Sequence, residues 1–237
     1  MNISQTDLAQ SSAYQSTVEQ LIGVLNDIEH KHAPRVLYCY GDRDLLRVGP
    51  RVSIVGSRTA SPEGLKRAAK LVRVLVSHGA VIVSGLAEGI DTVAHRTALD
   101  SHGRTIAVLG SPLDAPYPAS NRALFEQIAA DNLAVSQFPP NTPIQPKNFP
   151  MRNRTMALLS HATIIVEAAE KSGTLHQAWE ALRLGRPLFV LESVARDAKL
   201  TWPAEVQSYG AQVLSDNTVE DLLDQLPVGR FEEAVAF

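Results

Sequence analysis

Cys39 is the single cysteine among the 237 residues, which excludes an internal disulfide and a cysteine-rich metal site. No run of about 18 apolar residues occurs, so no membrane-spanning helix and no membrane partner are expected. The opening stretch, MNISQTDLAQSSAYQSTVEQLIG, lacks the basic and apolar regions of a secretory signal, and a cytoplasmic location is the expectation. Neither HExxH nor GxSxG is present, so metal-assisted and triad catalysis are not indicated. GxGxxG and GxxxxGKS/T are missing too, which argues against a dinucleotide site and a Walker phosphate site. The chain holds no internal repeat and no low-complexity tract.

What is present suffices for a sizeable core: 45% of residues are hydrophobic and 20% charged. The net charge of −3 conceals an asymmetry. Ten basic residues lie between Lys31 and Arg73 against three acids, Asp42, Asp44 and Glu63. From Asp197 onward eight acids face only Lys199 and Arg230. A basic half suits a polyanionic partner, and ordinary solvated helix faces explain it equally well.

From Pro50 the pattern turns regular. VSIVG (52–56), AVIVSG (80–85), TIAVLG (105–110), LAVSQF (133–138), ATIIVEA (162–168) and PLFVL (187–191) read as strands. Between them, helical spacing appears over 64–79, 89–101, 121–130 and 174–185, and RNRTMALLS makes a further helix after a Pro-rich link that runs to a bend at Pro150. Continuous apolar strands separated by helices predict a doubly wound, mostly parallel α/β sheet of extended Rossmann-like type with right-handed crossovers. One main domain is expected over 34–226, with an edge strand at 211–215 and a closing helix at 219–226. It is preceded by a short helical extension (1–33, one helix from Tyr14 to Glu29) and followed by a tail (227–237).

In such sheets ligands sit beyond the carboxyl ends of the strands. The loop GSRTASPEG (56–64) brings Gly56, Ser57 and Arg58 there, where small residues let backbone N–H groups approach a phosphate and the guanidinium forks onto it. SGLAEGID (84–91), with Ser84 and Gly85, and KSGT (171–174), with Lys171, Ser172, Gly173 and Thr174, are built alike, and three loops form one candidate anion rim. Plain turns account for such glycines as well. FPMRNR (149–154) adds Arg152, Asn153 and Arg154, with Lys147 upstream. Phe149 among these bases fits base stacking beside a phosphate track, or a plug in the core. Asp91 and His95, four apart on a helix, are read first as a cap and a buried histidine, and second as an acid/base couple. Glu167 is the best-placed carboxylate for an enzyme.

Several of these strings together resemble the DprA/Smf family of DNA-processing proteins. They are LYCYGDRDLL (37–46), VGSRTASPEG (55–64), SGLAEGIDTVAH (84–95), GRTIAVLG (103–110), YPASN (117–121), FPMRNRTMALLS (149–160) and VEAAEKSGTL (166–175). The resemblance implies an extended Rossmann fold, no catalytic residues, no metal and no cofactor. It implies binding of single-stranded DNA, loading of a RecA-type recombinase in natural transformation, and a homodimer. Carried over by residue, the DNA contacts are Arg58, Arg122, Lys147, Phe149, Arg152, Arg154 and Lys171. The family's usual Pro-Gly after the last strand is replaced by FVLESVARDAKLTWPAEVQSYGAQVL, and SGTLHQA departs from Ser-Gly-Ser-Leu.

Two other functions share the superfamily. A nucleotide-sensing domain of a bacterial conflict system needs the same phosphate loops without a basic track. A LOG-type nucleoside monophosphate phosphoribohydrolase needs a carboxylate where this chain has Gln177, and an amide cannot take up a proton there.

Overall fold

The computed structural model describes residues 13–227. Nine strands make one sheet in the order β1-β2-β6-β5-β4-β3-β7-β8-β9. Seven are parallel: β3 (Arg51–Gly56), β4 (Val81–Ser84), β5 (Arg104–Leu109), β6 (Leu133–Ser136), β7 (Ala162–Glu167), β8 (Leu188–Leu191) and β9 (Gln212–Leu214). β1 (Tyr14–Ser16) and β2 (Leu37–Gly41) add antiparallel strands beside β6. The expected α/β class and mostly parallel sheet are found, including the late edge strand.

Helices α3 (Pro62–Ser77), α4 (Ile90–Asp100), α5 (Arg122–Asp131) and α10 (Val219–Asp224) cover one face. The other face carries α1 (Val18–Ile22), α6 (Asn148–Leu159), α7 (Thr174–Arg183) and α9 (Trp202–Ser208), with the short α8 (Glu192–Ala195) beside β8. Burial on both faces explains the unbroken apolar strands: Val52 and Ile54 pack toward α3 while Val55 packs the opposite way. α3 starts where its sequence says it should. Ser61 accepts from Gly64 N–H at 3.0 Å, and Pro62 takes the first turn, where no N–H is needed.

Two local expectations are corrected. Tyr14 to Glu29 is not one helix: Tyr14–Ser16 is a strand paired with Leu37–Cys39, followed by α1 and by α2 (Asp27–His32). Two capping boxes, Thr17 with Gln20 and Asn26 with Glu29, break the segment by satisfying the first N–H groups of two separate short helices. Pro150 also does not bend a link. α6 begins at Asn148, and Pro150 lies in its first turn, where a missing donor costs nothing. Within the LYCYGDRDLL string, Leu37–Gly41 is strand β2. Residues 228–237 of the expected tail lie outside the described residues, as do residues 1–12.

The strand order locates the site. The chain runs outward from β3 to β6, then returns through α6 to place β7 on the other side of β3. The reversal opens a crevice between the carboxyl ends of β3 and β7.

Candidate functional site

A cleft of about 650 Å³ opens at this reversal. One wall is the β3 loop, with Gly56, Ser57 and Arg58. Facing it are Lys171, Ser172, Gly173 and Thr174 after β7. Phe149, Arg152 and Asn153 from the start of α6 line it too. The two loops are tied together by hydroxyls: Thr174 Oγ1 donates to the Gly56 carbonyl at 3.2 Å, and Ser172 Oγ donates to Thr174 Oγ1 at 3.0 Å. Asn153 Nδ2 donates to the Gly173 carbonyl at 3.2 Å, anchoring the β7 loop on α6.

At the mouth, the Arg58 guanidinium lies 5.3 Å from the centroid of the Phe149 ring. Among the described residues no carboxylate pairs with Arg58, and its side chain is exposed. Phe149 is half-buried and therefore lines the cleft rather than plugging the core. Its far neighbour is Tyr117, with ring centroids 5.7 Å apart and planes inclined by 59°. Gly110, just past β5, makes room for this ring: a Cβ there would lie 2.7 Å from Phe149 Cδ1.

Arg152 forms the floor. Its side chain is only 6% exposed, and Nη1 faces Asp91 Oδ2 at 3.7 Å. The same carboxylate oxygen accepts from Gly85 N–H at 3.1 Å and Ala87 N–H at 3.3 Å. Nε of Arg152 is buried with no partner among the described residues. Burial pushes the Asp91 carboxyl up and the Arg152 guanidinium down, each partly offset by the other's charge. The pair is thus a desolvated cation and anion under the loops, and it leaves guanidinium hydrogen-bonding capacity unused.

His95 is a structural residue. It is fully buried, Nδ1 sits 2.7 Å from Thr105 Oγ1, and burial holds its pKa down to about 3. Asp91 bonds the β4 loop and Arg152 instead of His95. Glu167 braces the start of α3, accepting from Ser61 N–H at 2.8 Å and Ser61 Oγ at 2.6 Å. Gln177 is buried beneath the cleft, its amide in reach of Thr163 Oγ1 at 3.3 Å.

Five residues read from the sequence stand off the cleft lining. Ser84 is buried and donates to the Ile54 carbonyl at 2.7 Å. Gly85 underlies the Arg152 guanidinium, since a Cβ would lie 1.1 Å from Nη1. Arg122 is exposed on α5 and pairs with Glu126 at 3.1 Å. Lys147 is exposed at the start of α6, next to the lining residue Pro146. Arg154 is held by both Glu180 oxygens at 3.3 Å, which joins α6 to α7. In the other direction, Tyr117 of the YPASN string lies against the lining residue Phe149, a place its sequence context does not single out. The available signal was an aromatic flanked by Pro116 and Pro118 in a strand-end loop.

Known proteins share this chain's sequence pattern and fold. The family model for DNA recombination-mediator protein A covers residues 10–227. The DNA processing protein DprA of Bacillus subtilis is 36% identical over 194 residues, 82% of this chain and 65% of that protein. Against such curated relatives the chain spans about half to two thirds of their length. Among solved structures, DNA processing protein A of Streptococcus pneumoniae superposes with a TM-score of 0.77 at 32% identity, covering 95% of this chain and 79% of that one. The Helicobacter pylori protein gives 0.76 at 32% identity, covering 91% and 98%. With a family match over nearly its whole length and the same sheet, this chain belongs to the DNA recombination-mediator protein A family, the DprA/Smf DNA-processing proteins.

Proposed function

We propose that the protein binds single-stranded DNA along this cleft, without sequence preference and without reacting with it, and delivers it to a RecA-type recombinase. One observation carries the reading: an exposed Arg58 guanidinium stacked on Phe149 at the mouth of a cleft floored by buried Arg152. Phosphates need cations, and unpaired bases need ring faces. A single strand offers both, whereas a duplex hides its base faces. The Helicobacter pylori relative is described as binding single-stranded DNA, which supports the assignment. The recombinase role rests on the family's character as recombination mediators. Action as a homodimer is part of the same proposal.

The binding, non-enzymatic reading draws on the carboxylates as well. Gln177 occupies the position a phosphoribohydrolase needs for its acid, and Glu167 is already engaged by Ser61.

The test is fluorescence anisotropy with labelled oligo-dT, using duplex DNA and AMP as competitors. Single strands should win over duplex, and affinity should fall with salt at a log–log slope of about −0.7 per phosphate neutralised. Salt-insensitive binding, or equal affinity for duplex, overturns the reading. Efficient displacement by AMP reassigns the cleft to a small nucleotide.

A further inference from the structure

Tyr117 opens the YPASN string but is not among the residues assigned to DNA above. It is the residue on the rim with the most to offer a base. The residue is 44% exposed, and two more exposed apolar residues, Ile144 and Met151, belong to the segments around Phe149. Tyr117 sits in the loop after β5, while Arg58 follows β3, so the two rings Tyr117 and Phe149 carry an aromatic surface sideways from the crevice. The backbone of Tyr117 is held by its N–H donating to Ser111 Oγ at 3.1 Å, and Ser111 is itself fully buried. No hydrogen bond engages the phenol oxygen among the described residues.

From this we infer that Tyr117 is a second base-stacking residue, which seats the nucleotide next to the one held at Phe149 and leads the strand over the β4 and β5 ends. The inference rests on the single-stranded DNA reading of the cleft. The inclination of 59° between the rings has a consequence for the ligand. Two bases, each lying flat on its own ring, cannot stack on one another, so the backbone must turn between them. A flexible unpaired strand makes that turn, and a stacked duplex does not. Stacking also requires no base identity, because every base has a π face.

The experiment compares wild type, Tyr117→Ala and Tyr117→Phe with oligo-dT of increasing length. For oligonucleotides just long enough to fill the cleft, Tyr117→Ala should match wild type. Once the strand reaches the second ring, the variant should fall behind by about 5- to 150-fold, the range that one base–aromatic stack supplies. Tyr117→Phe should follow wild type at every length, since the ring and not the hydroxyl is used, and all three should melt at the same temperature.

If Tyr117 merely props Phe149, Tyr117→Ala weakens binding equally at all lengths, and the inference fails while the cleft reading stands. Equal affinities for wild type and Tyr117→Ala at all lengths also overturn it alone. Failure of wild-type protein to bind oligo-dT at any length overturns both.

Discussion

Replacing Arg152 by alanine tests whether the buried pair supports the fold as well as the cleft. Both side chains are 6% exposed, so the change strands Asp91 as a desolvated carboxylate whose remaining partners are the Gly85 and Ala87 N–H groups. Breaking a buried pair from one side costs about 3–5 kcal/mol. For a chain of this size, each kcal/mol moves the melting temperature by roughly 2–4 °C, giving a fall of about 6–20 °C. The sign of the pH dependence follows from Asp91. Burial already raises its pKa, and removal of Arg152 takes away the main opposing charge. A carboxyl raised in the folded state loses stability as pH rises above its unfolded pKa, so the deficit of Arg152→Ala should be larger at pH 8 than at pH 5. Pairing Arg152→Met with Asp91→Asn removes both charges and should recover much of the loss. Thermal unfolding followed by circular dichroism at the two pH values reads all of this. A melting temperature within about 2 °C of wild type for Arg152→Ala would show that the pair braces nothing.

Arg58→Ala, which removes an exposed side chain, should leave the melting temperature unchanged and cost about 1.5–3 kcal/mol of oligo-dT binding. Arg58→Lys should recover only part of it, since a point charge lacks the fork; normal affinity with a lowered melting point would mean that Arg58 is a brace. Below pH 6.5 the protein should lose stability because buried His95, with its pKa near 3, cannot take the proton that the unfolded chain binds. The cost is about 1.4 kcal/mol by pH 5.5, and His95→Gln should remove that share of the acid slope in a melting-temperature profile. Gly110→Val should displace the Phe149 ring, whose Cδ1 would lie 2.7 Å from the added Cβ, and weaken oligo-dT binding more than it lowers stability. Unaltered affinity in that variant would remove Phe149 from the interface.

The parallel core was legible because burial on both faces leaves one unambiguous pattern, as in VSIVG and ATIIVEA, and no competing reading fits it. The N-terminal segment was misread for the opposite reason. Its apolar residues are few enough to suit a weak helix, while the polar boxes at Thr17–Gln20 and Asn26–Glu29, which set its real boundaries, were overlooked. In the site, the strand-end loops announced themselves by glycine, serine and basic residues. Which arginine faces the cleft did not. Arg152 and Arg154 look alike two residues apart in one helix, yet one is buried against Asp91 and the other is held by Glu180. Those partners come from distant helices, and no local spacing records them. Tyr117 was hidden similarly, since its value lies in a ring 5.7 Å away on another element.

The return of the chain from β6 to β7 also bears on how the protein reaches its working form. Ser61 and Glu167, which meet beside the cleft, are 106 residues apart in sequence, and Arg51 meets His161 across 110. Closing a loop of that length costs about 4 kcal/mol of chain entropy before any contact offsets it. The β3–β7 pairing is therefore a non-local step that rewards the chain only when both halves of the sheet are in place. Neither the half before β6 nor the half after it holds more than one wall of the crevice. A nascent or nicked chain with one half unfolded consequently lacks the assembled cleft.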